Sequence, residues 1–382
     1  MNSIARTILA SSLLGAGLLS TFPAVSAITP VTVKQGVDMT RRNVTLKNVV
    51  TGANQSILMW TFSNASSSRT GGGNDGNVDN NAPFPGPVLV FREQDTVEYT
   101  FNDKCPCENR PSAHPYAGHT IHLHGLDVTT REDGVAETSF SVLPWTSYTY
   151  KMATRGAGSF VYHCHIHTVL HQQMGMYGGI IVTPADSNDQ NKSFTGSPYT
   201  FVKQYYWITA EVDKTWHDKA ANRDYGDSSE FSYFSQYNPQ HFVLANYPID
   251  TNTLGAGTAT PGRGQINPST AGVSFTKGTK NLIRVGNLGY LNHRLTITNS
   301  SGVAVPFDII ATDGKAMRDV NDALAPMTGQ TQVEYAAGER YDLWVSFPTA
   351  GTYTAKVEFL DPATRTPTAG GKGILTQTIS VQ

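Results

Sequence analysis

Two short strings hold most of the residues able to do chemistry: His119-Thr-Ile-His122-Leu-His124-Gly125, and His163-Cys164-His165-Ile-His167-Thr-Val-Leu-His171. Eight of the eleven histidines lie between His114 and His171. Neutral imidazole and thiolate are nitrogen and sulfur donors to transition metals, so donors this concentrated point to metal chemistry. In an extended strand alternate side chains share a face. His122 and His124 then lie together, with His119 at an odd offset on the other face; His163 and His165 lie together, with Cys164 opposite. If the strings occupy neighbouring strands, Cys164 and His119 meet inside while His122, His124, His163 and His165 meet outside. The segment after Cys164 brings His171 and then Met176, completing two His, one Cys and a weak axial Met, the donor set of a type 1 (blue) copper. Zinc also takes His and Cys and is the rival ion, and satisfied core histidines are the structural alternative.

Weaker candidates surround these strings. Cys105-Pro-Cys107 could close a strained or intermolecular disulfide, or hand over a soft metal with His114. Asp127, Glu132 and Asp133 follow the first string and could relay protons, or simply solvate a turn. His167 has the parity of His163 and His165, but the strand is expected to have become a loop there.

The elements that must position these residues are strands. Val88–Phe91, Thr96–Phe101, Tyr148–Tyr150, Ser159–Tyr162 and Gly179–Val182 are short β-type runs, several with period-two alternation, separated by Gly, Asn, Pro and Asp clusters. A second group comprises Asn281–Val285, Arg294–Ile297, Asp342–Phe347 and Thr352–Val357. The fold class is all-β, with two sandwich or barrel domains expected at 28–185 and 201–382, joined by a polar linker at 186–200. Residues 63–82, rich in Ser, Gly and Asn, are expected to form an exposed loop, and the aromatic-rich region 211–240 a loop excursion or an interface. Residues 1–27 carry Arg6, an apolar run and Val25-Ser26-Ala27, a signal-peptide pattern implying export, with a bacterial periplasm expected. No membrane span is expected. Lys and Arg number 28 against 30 Asp and Glu, and no basic run appears, which argues against a nucleic-acid partner. Three cysteines are too few for a disulfide scaffold.

Pro85-Gly-Pro87, Asp95-Thr-Val97, His119 to Gly125, Asp133-Gly-Val135 with Thr138, Gly158 to His171, and Gly175-Met176 together resemble the multicopper oxidase family, laccases included, and more distantly copper nitrite reductases. Ile310-Ala-Thr-Asp-Gly314 and Gly338-Glu-Arg-Tyr-Asp342 resemble that family's copper-free cupredoxin domain. The resemblance implies two cupredoxin-like Greek-key domains and selects Met176 over Met174 as the axial ligand. It also implies further type 2 and type 3 copper at His122, His124, His163 and His165. Electrons from a small molecule, a metal ion or a redox protein would enter near His171, leave Cys164 through His163 and His165, and reduce dioxygen. The family's cluster uses eight histidines in His-x-His pairs, whereas here His217, His241 and His293 stand isolated. Three readings follow: a homo-oligomer completing the cluster between subunits, a nitrite-reductase-like enzyme, or a one-copper electron carrier. Nitrite reductases have Asp where this chain has His122, and no histidine where it has His165.

Overall fold

β-branched and aromatic residues in alternation with polar ones favour extended backbone, and strands form along both groups of runs. The structure is a computed structural model, and residues 30–64, 78–104, 118–222 and 237–382 are described. The signal-like segment, Cys105, Cys107, His114 and the middle of the Ser/Gly/Asn-rich stretch lie outside them.

The first half contains β1 (Thr32–Lys47), β2 (Asn54–Asn64), β3 (Val88–Arg92), β4 (Thr96–Asn102) and β5 (His122–His124). Then come β6 (Ser147–Ala153), β7 (Gly158–His163), helix α1 (Thr168–Gln173) and β8 (Tyr177–Thr183). One sheet runs β2-β1-β4-β6 and a second contains β3-β8-β7-β5. Their facing sides enclose a core that includes Phe62, Phe91, Tyr99, Phe101, Leu123, Phe160 and Tyr162.

The second half begins with β9 (Gln204–Val212), α2 (Lys214–Asn222), β10 (His241–Ile249), β11 (Gly264–Ile266) and β12 (Val273–Phe275). It continues with β13 (Lys280–Asn287), β14 (Asn292–Asn299), β15 (Phe307–Thr312), β16 (Lys315–Ala316) and β17 (Met327–Gln330). It ends with β18 (Gln332–Tyr335), β19 (Arg340–Ser346), β20 (Gly351–Leu360) and β21 (Ile374–Val381). These strands build a sheet ordered β10-β9-β13-β19-β15-β16, with β17 beside β15, and another ordered β12-β21-β20-β14-β18. A second core lies between them, with Trp207, Leu295, Tyr335, Leu343 and Phe359 among its members. β11 instead pairs with β3 of the first half. Beside it Arg263 grips both carboxylate oxygens of buried Asp95 at 2.8 Å.

Alternation along β7 explains how the halves meet. Phe160 and Tyr162 point into the first core, whereas Val161 joins a cluster with Tyr206, Ile208, Val243 and Tyr247 of the second half. Ser159, of the same parity as Val161, donates to Asp342 of β19, which also pairs with buried Arg284 at 3.1 Å. Full burial of a large apolar side chain contributes about 1.5–3 kcal/mol, so this outer face of β7 fixes the second half over the sheet that carries the histidines. The 186–200 stretch is tied in as well: Ser193 and Phe194 are buried, and Ser193 bonds Asp342. Both ends of the 63–82 stretch are also ordered, since residues 63 and 64 close β2 and Val78 bridges Arg41. None of the described helices is long and apolar enough to cross a membrane.

Candidate metal centres

The two histidine strings occupy neighbouring strands. β5 runs antiparallel to β7, with His122 opposite His163 and His124 opposite Val161. Leu123 between them points into the first core, so His122, His124 and His163 emerge on the opposite face. Cys164, one residue past β7, returns to the core side and is fully buried.

The inner set is dry. His119, Cys164, His171 and Met176 each have 0% exposure. Cys164 Sγ lies 3.2 Å from His171 Nδ1, and the rings of His119 and His171 are centred 4.8 Å apart. His171 arrives on α1, which starts from His167 with a positive φ of 45°, so the segment expected as loop caps a helix. One helical turn links the His171 amide to the His167 carbonyl at 3.1 Å and brings the imidazole back to the thiol. The chain then reverses at Gly175, whose φ is 109° and whose position would place a Cβ 2.6 Å from Phe84. Glycine is the residue that tolerates this conformation and this close approach. The turn lets the Met176 carbonyl accept from the Cys164 amide at 3.0 Å.

Two neighbours of this set carry no signal in the sequence. Asp103, buried at the end of β4, holds His119 Nδ1 at 2.8 Å, and Trp60 packs edge-on to both imidazoles, with ring centres 6.5 and 5.5 Å away. Asp103 leaves His119 Nε2 buried and without a hydrogen-bond partner. An unsatisfied buried nitrogen is costly, and beside a thiol and a second imidazole it fits a soft transition-metal ion.

The outer set is half-open. Donor nitrogens of His122, His124 and His163 all lie within 4.8 Å of one another, and His165 completes the group with its ring centred 5.1 Å from that of His122. They line a cavity of about 320 Å³ together with Gln172, Leu288, Tyr290, Ala337 and Gly338. The last four come from the second half, and no local sequence signal marks Leu288 or Tyr290. Gly338 has a φ of 80° and would hold a Cβ 3.2 Å from His124 Cε1. Burial pushes the His163 imidazole down to about 3, with the other imidazoles adding to the effect. Burial, and then the Arg340 guanidinium, push His124 down to about 4. Both rings are neutral at pH 7, the form in which a ring nitrogen can bind a metal. His122 Nδ1 donates to the Asp133 carbonyl at 2.7 Å, and His163 Nδ1 donates to the Cys164 carbonyl at 3.0 Å.

The three acidic candidates separate. Asp133 sits at His122, with a carboxylate oxygen 3.4 Å from Nδ1. Glu132 accepts from the Lys151 amide at 2.9 Å and from Tyr148, while Asp127 faces exposed Lys315. Glu137, not anticipated from the sequence, approaches His165 to 3.8 Å. His217, His241 and His293 are buried in the second half and do not line this cavity.

Residues 62–187 match the family model described as multicopper oxidase, a stretch that includes both histidine strings. This segment is similar to a multicopper oxidase domain. The chain is 26% identical over 298 residues to laccase-2 of Thanatephorus cucumeris, covering 73% of this chain and 43% of that one. Against L-ascorbate oxidase of Cucumis sativus the identity is 26% over 39% of this chain and 22% of the relative. Against copper resistance protein A of Escherichia coli it is 31% over 27% and 15%. The chain thus spans less than half the length of these curated relatives. The blue copper oxidase of Nitrosomonas europaea superposes with a TM-score of 0.58 at 18% identity, covering 92% of this chain and 86% of that structure. The copper nitrite reductase of the same organism gives 0.55 at 19%, covering 92% and 94%. At these identities the likeness establishes the shared cupredoxin-like fold, as expected from the sequence, and the segment that matches the multicopper oxidase model lies within it.

Proposed function

We propose that the protein is an exported, copper-dependent oxidoreductase in which the two faces of the β5–β7 pair hold separate copper sites. The observation that carries this reading is the register placing His122 opposite His163, with buried Cys164 and His171 3.2 Å apart on the other side. His119, Cys164, His171 and Met176 would hold a type 1 copper, and His122, His124, His163 and His165 the remainder. Copper bound there supplies one-electron redox chemistry and, at the outer set, a site for reducing dioxygen. The protein's own part is to exclude water from the inner set, fix His119 through Asp103, and join the two sets through one backbone segment. Cys164 and His163 are consecutive, and the His163 Nδ1 hydrogen bond to the Cys164 carbonyl adds a second link at 3.0 Å. That covalent and hydrogen-bonded connection is the proposed electron path. Residues 28–185 and 201–382 are proposed as the two domains, and the periplasm as the compartment. The donor is a small molecule, a metal ion or a redox protein.

Four histidines per chain are half of the family's set, so a symmetric homo-oligomer that pairs two such faces is proposed to complete the cluster. One observation favours a second reading. Among the described residues, only His122, His124 and His163 form a group with donor atoms within 4.8 Å, the arrangement for a single outer copper.

Copper per chain in the loaded, purified protein separates these outcomes. About two and a half coppers per chain correspond to two inner coppers and one shared three-copper cluster in a symmetric dimer. Two support the single outer copper, and one leaves an electron carrier. A protein that takes up no copper overturns the proposal.

A further inference from the structure

The described ends of the aromatic-rich region, residues 211–222 and 237–240, which the copper sites leave unused, contribute Trp216 and Tyr237 beside the outer cavity. Tyr290 lines that cavity alongside the four histidines. Its ring centre lies 5.5 Å from that of Tyr237 and 6.4 Å from that of Trp216, and Trp216 and Tyr237 are 5.0 Å apart. Tyr237 donates its phenol hydrogen to Glu211 Oε1 at 3.0 Å and accepts from Gln173 Nε2 of α1 at 3.3 Å. Glu211 has 1% exposure and is held by His293 Nε2 at 2.9 Å and by the backbone amides of Tyr290 and Leu291. One buried carboxylate therefore anchors the backbone of the cavity-lining tyrosine and accepts the hydrogen bond of the next tyrosine inward.

We propose that Tyr290, Trp216 and Tyr237 form a relay by which the protein itself supplies an electron to an oxidised copper centre in the cavity when no external donor is bound. The proposal rests on the copper-oxidoreductase reading. Tyr237 gives up one electron, which crosses the contacting rings to Tyr290 and reduces the oxidised centre by one unit. Its phenol proton moves along the existing hydrogen bond to Glu211, leaving a neutral phenoxyl radical and a protonated carboxyl. A one-electron, one-proton reductant, such as an external phenol, then restores the pair.

The environment suits this exchange. Burial raises the Tyr237 phenol well above its ordinary value, with Glu211 adding to the effect, so its oxidation must be coupled to loss of the proton. Burial alone would raise Glu211, but the His293 hydrogen bond and charge and the two amides outweigh it and hold the carboxyl below its ordinary value, so it stands ionised and takes the proton only from the far more acidic oxidised phenol.

The test reduces the copper-loaded full chain, mixes it with dioxygen without a donor, and follows the products by freeze-quench electron paramagnetic resonance and peptide mass spectrometry. Copper is counted in the same samples. A narrow organic-radical signal and oxidative modification confined to Tyr290, Trp216 and Tyr237 are expected. Tyr237→Phe, which keeps the ring, should lower the radical yield several-fold at unchanged copper content. Tyr290→Phe should do the same by cutting the relay at the cavity, and it serves if the first variant does not fold. A radical elsewhere, none at all, or one indifferent to both variants overturns the relay while leaving the copper reading intact. A cavity that binds no copper overturns that reading and the relay with it, and the metal count tells the two failures apart.

Discussion

The two donor sets share one pair of strands yet are finished in different ways. The inner set is completed locally: α1 and the Gly175 turn bring His171 and Met176 back to Cys164 within a dozen residues, inside one hydrophobic core. The outer set is completed from afar, because Leu288, Tyr290, Ala337 and Gly338 roof a cavity whose imidazoles all come from the first half. The inner site thus depends on the packing of a single sandwich. The outer one depends on how two sandwiches meet, held there by the apolar cluster around Val161 and the Ser159, Arg284 and Asp342 contacts.

Cys164→Ser should have the largest effect. It removes the only soft anionic donor of the inner set, so the intense visible absorption of the copper-loaded protein should vanish while outer copper stays. The buried hydroxyl adds a stability cost of about 1–3 kcal/mol if it finds no partner. Retained blue colour would show that the thiol is not a ligand. His122→Ala is the reciprocal experiment: outer copper should be lost, as read by copper count, while the visible band persists. Loss of both signals together would mean that the sets are not separate.

Asp103→Asn sharpens the inner half of the comparison. An asparagine can still bond His119 Nδ1 but without charge, and changes to such supporting groups typically cost 10–100-fold in metal affinity. A competition titration should show a loss of that size at the inner site alone.

Acid stability supplies the background against which both sets are judged. Burial pushes His217 down to about 4, with its Nδ1 donating to the Leu58 carbonyl at 2.7 Å. In the unfolded chain the imidazole takes up its proton near pH 6.5. Its contribution is therefore fully present above about pH 6.5 and is lost as the pH falls towards 4, where the folded state also begins to bind the proton. The midpoint of thermal unfolding of the metal-free protein should fall across this window, and less steeply in His217→Gln. An unchanged slope would place the acid sensitivity elsewhere. The smallest effect is expected from Gly338→Ala, which forces a positive φ on alanine at a cost of about 1–3 kcal/mol and crowds His124. It should weaken outer copper binding modestly and leave the visible band unchanged.

Much of the candidate site was legible in the sequence because strand parity is a local property. The odd offset between His119 and His122, and the single step from His163 to Cys164, already imply two faces, and the strand runs imply the sheets that carry them. At His167 the strand has given way to a bend, as its sequence position implies, but the left-handed cap it supplies to α1 is set by the fold and carries no signal in the sequence. The family was also legible, through donor strings that local order fixes. Only the tertiary structure decided that Asp103 and Trp60 support the inner imidazoles, and that Tyr290 and Gly338 close the outer cavity. Those residues lie far from the histidines along the chain. Their roles come from register, β-sandwich closure and the meeting of two halves, which depend on long-range packing that one residue's neighbours in sequence do not specify.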